Sequence, residues 1–443
     1  MQLELCDSAP AGWTRLAISD VCQRFTSGGT PSRKLPEYFT GSIPWVKTQE
    51  LTDCVLHDSE EHITEHAIAN SSAKLLPTNT VLMAMYGATV GQLGVLARPM
   101  TCNQACAAMV VDESRVDHRF LYYQLLACRQ QIKSLSTGAA QQNLSGAQIK
   151  QFVLPYPSRF EQSVVAGFLW QLDRRIDLLR QTNATLESIA QALFKSWFVD
   201  FDPVRAKAEG HEPDGMDAAT AELFPAEFEE SALGLIPKGW GATPFAETVN
   251  ILGGGTPKTS VPEYWGGEIP WFSVVDAPGS GQVFTLRTEK SITTAGVDNS
   301  STRVLPAWTT IISARGTVGK LAMTACPMAM NQSCYGLCPK VPGTEPLVYL
   351  AAQRLVDDLK RLAHGGVFDT ITRDTLSSVS IVEAPTNVQA NFAEMVKPVF
   401  VQIQLGVQRV STLTELRDAL LPRLISGKLR LPEAKEQVED ALA

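Results

Sequence analysis

Two stretches of the chain place seam residues at alternating steps of four and three without a break. The first runs Val165, Leu169, Leu172, Ile176, Leu179, Asn183, Leu186, Ala190, Leu193, Trp197; the second runs Phe392, Val396, Val399, Ile403, Gly406, Val410, Leu413, Arg417, Leu420, Leu424. Spacing of this kind, sustained over more than four heptads, predicts two long helices that pair as a coiled coil. An amphipathic helix packed on its own domain has the same local pattern, but two matched seams favour pairing with each other. Asn183, Gly406 and Arg417 interrupt the apolar run, and a polar seam residue can fix register at some cost in stability. Ahead of each seam the pattern changes to short apolar segments broken by Gly, Pro, Asn and Thr, such as TVLMAMYG and QLGVLAR, then TIISARG and KLAMTA. These read as strands, joined by a helix such as 120–133, so each region is α+β.

The chain is written twice. GGTPSRKLPEYFTGSIPW from Gly28 returns as GGTPKTSVPEYWGGEIPW from Gly254, displaced by 226 residues; Thr89-Val90-Gly91 and Asn103-Gln104 return as Thr317-Val318-Gly319 and Asn331-Gln332, displaced by 228. A period this long makes each copy a domain with its own core rather than a solenoid turn. The expected fold class is therefore α+β, with two repeated domains joined by two long helices in an antiparallel coiled coil. The expected segments are a first domain over 1–160, a helix over 161–199, an acidic linker over 200–236, a second domain over 237–388, a helix over 389–427 and a C-terminal tail over 428–443. Antiparallel pairing is favoured because it leaves the end of the first helix beside the start of the second domain. A parallel pair would need the linker to run back along the helices. From Val165 to Trp197 such a helix rises roughly 48 Å at ~1.5 Å per residue, comparable with the ~34 to 36 Å of a B-DNA turn.

Composition fits a folded chain of more than one domain: 443 residues, 44% hydrophobic and 19% charged. No apolar run approaches the ~18 residues of a membrane span, and the N-terminus lacks a basic stretch followed by an apolar one, so a cytoplasmic location is expected. Nine cysteines, scattered and odd in number, suit free thiols. The net charge of -8 argues at first against a nucleic-acid partner. Ten acidic residues between Asp200 and Ser231, against Arg205 and Lys207, account for all of it, and residues 10–160 hold 13 basic and 11 acidic side chains. Charge alone leaves DNA binding open.

Signatures of catalytic chemistry are sparse in the chain. A methyltransferase would need a Gly-rich loop for S-adenosylmethionine and an Asn/Asp-Pro-Pro-aromatic tetrapeptide; Phe201-Asp202-Pro203-Val204 shares only Asp-Pro. Gly253 to Lys258 lacks the Gly-Lys-Ser/Thr end of a phosphate loop, and its counterpart at Gly28 marks it as a shared turn. The pairs Cys102/Cys106 and Cys334/Cys338 have no neighbouring histidine, so buried thiols are favoured over a metal site. His62 and His66, four apart, fall in a polar stretch. No catalytic residue and no metal ligand is assigned.

The segments NATLESIAQALFKSWFVDFDPVRAK from Asn183, ELFPAEFEESALGLIPKGW from Glu222 and LRDALLPRLISGKLRLPE from Leu416 resemble the inter-domain and C-terminal regions of specificity subunits of type I restriction-modification enzymes. Both repeats resemble that family's target recognition domains, so the resemblance covers essentially the whole chain. It implies a non-catalytic subunit whose domains each read half of a bipartite target in double-stranded DNA, with the coiled coil setting the gap. It also implies docking of two modification subunits, which bind S-adenosylmethionine and methylate adenine at N6, and association with restriction subunits that use ATP and Mg. No cofactor is expected on this chain and no membrane. Two alternatives stay open at this point: service to a methyltransferase without a nuclease, and a coiled-coil scaffold joining two ligand-binding domains with no DNA role.

If the two domains read different half-sites, residues shared by both copies should shape turns or touch the DNA backbone. Gly29, Thr30, Thr89 and Gly91, with Gly255, Thr256, Thr317 and Gly319, are assigned there, and Lys258 and Lys320, which stand beside the second copy's turns, are placed with them. Residues that differ beside those fixed elements are the candidate base readers: Lys47, Gln49, Tyr86, Gln141, Gln142 and Asn143 in the first copy, Ser273, Arg315, Asp369 and Arg373 in the second. Arg suits guanine, Gln and Asn suit adenine, and Asp suits cytosine. Tyr86 aligns with Arg315 if Ala88 is a one-residue insertion, and a constant displacement of 228 sets Gln141, Gln142 and Asn143 against Asp369, Thr370 and Ile371.

Overall fold

The computed structural model describes residues 3–4, 10–135, 143–279, 281–362 and 370–442. Its contacts divide the chain into one unit of 1–175 with 412–443 and a second of 176–411.

In the first unit a five-stranded sheet runs in the order Cys22–Ser27, Cys106–Val111, Val81–Ala84, Leu93–Leu96, Cys54–Leu56. All neighbours are antiparallel except the last pair, which is parallel. The run VLMA is wholly apolar because both faces of its strand are covered. Val81 and Met83 face Phe120, Leu121 and Leu125 of the helix His118–Ala127, while Leu82 and Ala84 face Leu51, Leu96 and Met100. The helix expected over 120–133 is two helices, His118–Ala127 and Arg129–Ser134, divided at Cys128. His62 lies in a short strand and His66 in the helix Glu65–Ala69, so they share no helix face. The first core also takes Ala166 and Leu169 of the helix Arg159–Phe198, Leu420, Leu421 and Leu424 of the helix Thr386–Ile425, and Ala434 of the helix Leu431–Leu442. Most of the described tail after 427 is therefore one helix, docked on this core through Ala434.

The second unit repeats the plan: Val249–Gly253, Cys334–Pro339, Thr310–Ser313, Leu321–Thr324, Phe284–Thr285, in the same order and with the same single parallel pair. Three-stranded sheets recur as well, His62–Ile63/Ile43–Val46/Thr101–Cys102 in one unit and Lys290–Ile292/Trp265–Phe272/Ala329–Met330 in the other. The segment 200–236 is folded, with helices Asp202–Ala208 and Ala218–Glu222 and a hairpin of Phe228–Ser231 with Gly234–Pro237. Its Phe201, Val204 and Phe224 join Trp197, Phe198, Trp240 and Phe392 in one apolar cluster, which explains the aromatic density of FKSWFVDF. Trp197 and Phe224 meet edge to face at 4.9 Å, as do Phe198 and Phe392.

The long helices run antiparallel within each unit. In the first, Asp173 Oδ1 accepts from Arg417 Nη1 at 2.7 Å. In the second, Asn183 Nδ2 donates to Ile403 O at 3.4 Å, and Phe198, fifteen residues later, packs on Phe392, eleven residues earlier. Leu172, Ile176, Ile403, Val410, Leu413 and Leu420 are buried, and Leu179, Leu186, Leu193 and Val399 half-buried. The seam interruptions answer one another: a Cβ on Gly406 would sit 2.2 Å from Asn183 Oδ1, so the glycine makes room for the buried amide. The eight described cysteines form no disulfide with one another, and burial pushes the Cys22 and Cys334 thiols up to about 12.

Candidate nucleic-acid interface

One end of each five-stranded sheet gathers five segments of the chain, and the same hydrogen bonds hold them in both units. In the first, Gly29 N donates to Cys102 O at 2.9 Å and Trp45 Nε1 to Gly29 O at 2.9 Å; Met85 N donates to Ala105 O and Leu144 N to Met85 O, both at 2.9 Å. In the second, Gly255 N donates to Met330 O at 2.9 Å and Trp271 Nε1 to Gly255 O at 3.0 Å; Ala314 N donates to Ser333 O at 2.7 Å and Ile371 N to Ala314 O at 2.8 Å. Between these backbone ties the hydroxyl of Thr30 donates to Gln104 Oε1, and that of Thr256 to Gln332 Oε1.

This frame accounts for most of the shared residues. A Cβ on Gly29 would lie 2.3 Å from the Ser72 carbonyl carbon, and one on Gly255 2.4 Å from Thr302 N. Gly91 and Gly319 both adopt φ +79, and each amide returns to the strand before the turn, at Ala84 O (3.0 Å) and Ser313 O (2.9 Å). Thr89 Oγ1 donates to Tyr86 O at 3.3 Å, and Thr317 O accepts from Ser313 Oγ at 2.6 Å. Lys258 and Lys320 are exposed; the Lys320 amide donates to Ser313 Oγ at 2.8 Å. Gln104 and Gln332, exposed and tied to the turn threonines, belong to this set although sequence comparison does not assign them to the site. Their recurrence beside Asn103 and Asn331 was the available signal.

The differing residues separate into two groups. Tyr86 bridges Asn143, and Arg315 bridges Thr370; all four are exposed, and Tyr86 and Arg315 occupy equivalent places. Asn143 is therefore the counterpart of Thr370, not of Ile371. The constant displacement of 228 is one too many here, because Ile371 matches buried Leu144 in its bond to the preceding strand. Gln49 is exposed on the turn Thr48–Glu50. Gln141, Gln142 and Asp369 lie outside the described residues.

Lys47, Ser273 and Arg373 are engaged inside their own domains. Lys47 Nζ contacts Glu60 Oε2 and Glu61 Oε1, each at 3.1 Å, and its amide donates to Glu50 Oε2 at 2.6 Å. The hydrogen bonds that the ammonium donates to Glu60 and then Glu61 raise its pKa above the ordinary value. The Ser273 hydroxyl and amide both donate to Asp276 Oδ2, at 2.9 and 2.8 Å. Arg373, first residue of the helix Arg373–Ser378, donates to Ile251 O at 3.0 Å.

Glu113, Asp117 and His118 converge closely enough to suggest a metal site. Arg119 and Arg159 already contact Asp117 at 2.8 and 3.1 Å, and Arg159 reaches Glu113 at 3.1 Å. Burial pushes the Asp117 carboxyl up, but the two guanidinium groups outweigh it and hold the pKa below its ordinary value. Among the described residues no helix is long and apolar enough to cross a membrane.

Two copies of one α+β domain, each followed by a long helix, with equivalent exposed loops at one sheet end, define a tandem recognition protein. The family of the type I restriction modification DNA specificity domain matches residues 10–188 and again 237–415, and the chain belongs to that family of non-catalytic subunits. It is 30% identical over 63% of its length to the type I restriction enzyme HindI specificity subunit of Haemophilus influenzae, covering 70% of that protein. It is 26% identical over 96% of its length to the MjaIX specificity subunit of Methanocaldococcus jannaschii, covering 95% of it. The crystal structure of the type I restriction-modification S subunit from M. genitalium superposes with a TM-score of 0.58 at 16% identity, over 95% of this chain and 98% of that one, and has the same fold.

Proposed function

We propose that each copy reads one half of a bipartite sequence in double-stranded DNA through the sheet end that carries Tyr86 and Asn143 in one copy and Arg315 and Thr370 in the other. The carrying observation is that one hydrogen-bonded frame presents different exposed side chains at equivalent points. A common frame gives a common approach to the duplex, and the variable groups then select bases. The paired helices set the gap between half-sites and dock two modification subunits, which bind S-adenosylmethionine and methylate adenine at N6. Restriction subunits using ATP and Mg complete the complex, and the whole acts in the cytoplasm.

Methylome sequencing of cells with and without this gene tests the reading. The expected result is one bipartite motif with a fixed gap that disappears with the gene; an undivided motif, or an unchanged methylome, overturns it. In gel shifts with the modification subunits, Arg315→Ala should cost ~1 to 3 kcal/mol on the cognate duplex and relax choice at one base of one half-site only. An equal loss on cognate and half-site-scrambled duplexes would make Arg315 a backbone or structural contact.

A further inference from the structure

The shared frame allows the charge of the two reading ends to be compared position by position. Besides Lys320, four cations stand on or beside the frame in the second unit: Lys258 after the Gly-Gly-Thr-Pro turn, Lys290 opposite Trp271, Arg303 beside Thr302, and Arg315. Thr302 N is the backbone atom that Gly255 approaches, and Thr302 Oγ1 donates to Met330 O at 3.0 Å, the same carbonyl that receives Gly255 N. These four are exposed, and among the described residues none of their charged groups has an ion-pair or hydrogen-bond partner.

The equivalent positions in the first unit are Ser32, Glu61, Lys74 and Tyr86. The bridge Leu76 to Met100 matches Leu305 to Met328 and sets Lys74 against Arg303; the tie from Trp45 N to Glu61 O matches the pairing of Trp271 with Lys290. Four positive charges thus stand where the first unit has one cation and one carboxylate. Even that cation is engaged, since Lys74 donates to Thr26 Oγ1 and Ser27 O. Glu61 also holds the neighbouring cations of its own copy: Arg33 Nη1 at 2.6 Å and Lys47 Nζ at 3.1 Å. Those contacts, with the Arg33 pair hydrogen-bonded, hold the Glu61 carboxyl below its ordinary range. The counterparts of Arg33 and Lys47 in the second unit are Thr259 and Ser273, so nothing there needs a carboxylate.

Resting on the DNA-reading assignment, we infer that the second copy supplies most of the phosphate neutralisation, through Lys258, Lys290 and Arg303, while in the first copy Arg33, Lys47 and Glu61 close on one another, Lys74 is tied to Thr26 and Ser27, and Lys34 stays exposed. A cation already paired with carboxylate must break that contact before it displaces a counterion from DNA, whereas an open cation need not. The salt dependence of binding should therefore belong mainly to one half of the protein.

The test uses the full chain assembled with its modification subunits and follows log affinity for a cognate duplex against log salt concentration. Each phosphate-neutralising cation contributes ~0.9 to the slope. The combined variant Lys258→Gln, Lys290→Gln, Arg303→Gln should flatten it by about 2 to 3 and weaken cognate and scrambled duplexes by the same factor. Lys47→Gln should leave the slope unchanged. Glu61→Gln, which releases Arg33 and Lys47, should steepen it, a gain that misfolding does not imitate. An unmoved slope in the triple variant, or equal flattening by Lys47→Gln, overturns the charge assignment while sequence discrimination persists. A wild-type complex that discriminates no duplex sequence overturns the underlying reading, and this inference with it.

Discussion

Trp45 and Trp271 make the same hydrogen bond to the same turn, yet the residues that follow them have opposite fates. In the first copy Lys47 is drawn into contacts with Glu60 and Glu61; in the second Ser273 caps a short turn through Asp276, and Lys290 stands open where Glu61 would be. The frame is built from main-chain bonds, from glycines with no room for a side chain and from Trp and Thr–Gln contacts present in both copies, so it is indifferent to what the differing exposed positions carry. Side chains there can diverge without disturbing the fold, which is what two readers of different half-sites require. The helix pairing differs in a parallel way. The first unit joins its helices across the seam by the Asp173–Arg417 ion pair, the second by the fit of Asn183 against Gly406.

The largest expected effect tests whether the two frames are equivalent. Gly29→Ala and Gly255→Ala each force a Cβ to within 2.3 to 2.4 Å of backbone atoms, and each should cost ~3 kcal/mol in chemical unfolding. Similar losses sharpen the comparison; a loss in only one copy breaks it. Next is the seam. Gly406→Ala should cost ~1 to 2 kcal/mol by overpacking against Asn183, and adding Asn183→Ala should recover most of that. A double variant no more stable than Gly406→Ala alone would mean the amide is not what the glycine accommodates.

The smallest effect concerns Lys47. Its contacts with Glu60 and Glu61 are partly solvent-exposed, so Lys47→Ala should cost ~0.5 kcal/mol or less in stability and leave base preference at the first half-site unaltered. A change of preference measured by competition between duplexes would return Lys47 to the base readers and erase the contrast with the second copy.

Much of the fold was legible because its signals are local or repeated. The duplicated GGTP segments announced two domains, and the seams from Val165 and Phe392 announced the paired helices and their register breaks. The folded state of 200–236 was less legible, since its charge suggested a connector. Its Phe201 and Phe224 are buried against Trp240, and Phe224 also against Trp197, in a cluster that reaches Phe392 far along the chain. The site was legible as a set of loops and less so as individual residues. Tyr86 and Arg315 fall at equivalent places once Ala88 is skipped, but the one-residue error between Asn143 and Thr370 arose because a constant displacement cannot follow length changes in loops.

Sequence by itself determined the duplication, the α+β class, the helical seams and the family, since each rests on periodicity or on motifs read within a short span. Only the tertiary structure decided which cations are spent on internal carboxylates and which remain open. Glu61 meets Lys47 fourteen residues away and Arg33 twenty-eight residues away. Whether such charges cancel depends on distances of a few ångströms that no spacing along the chain encodes.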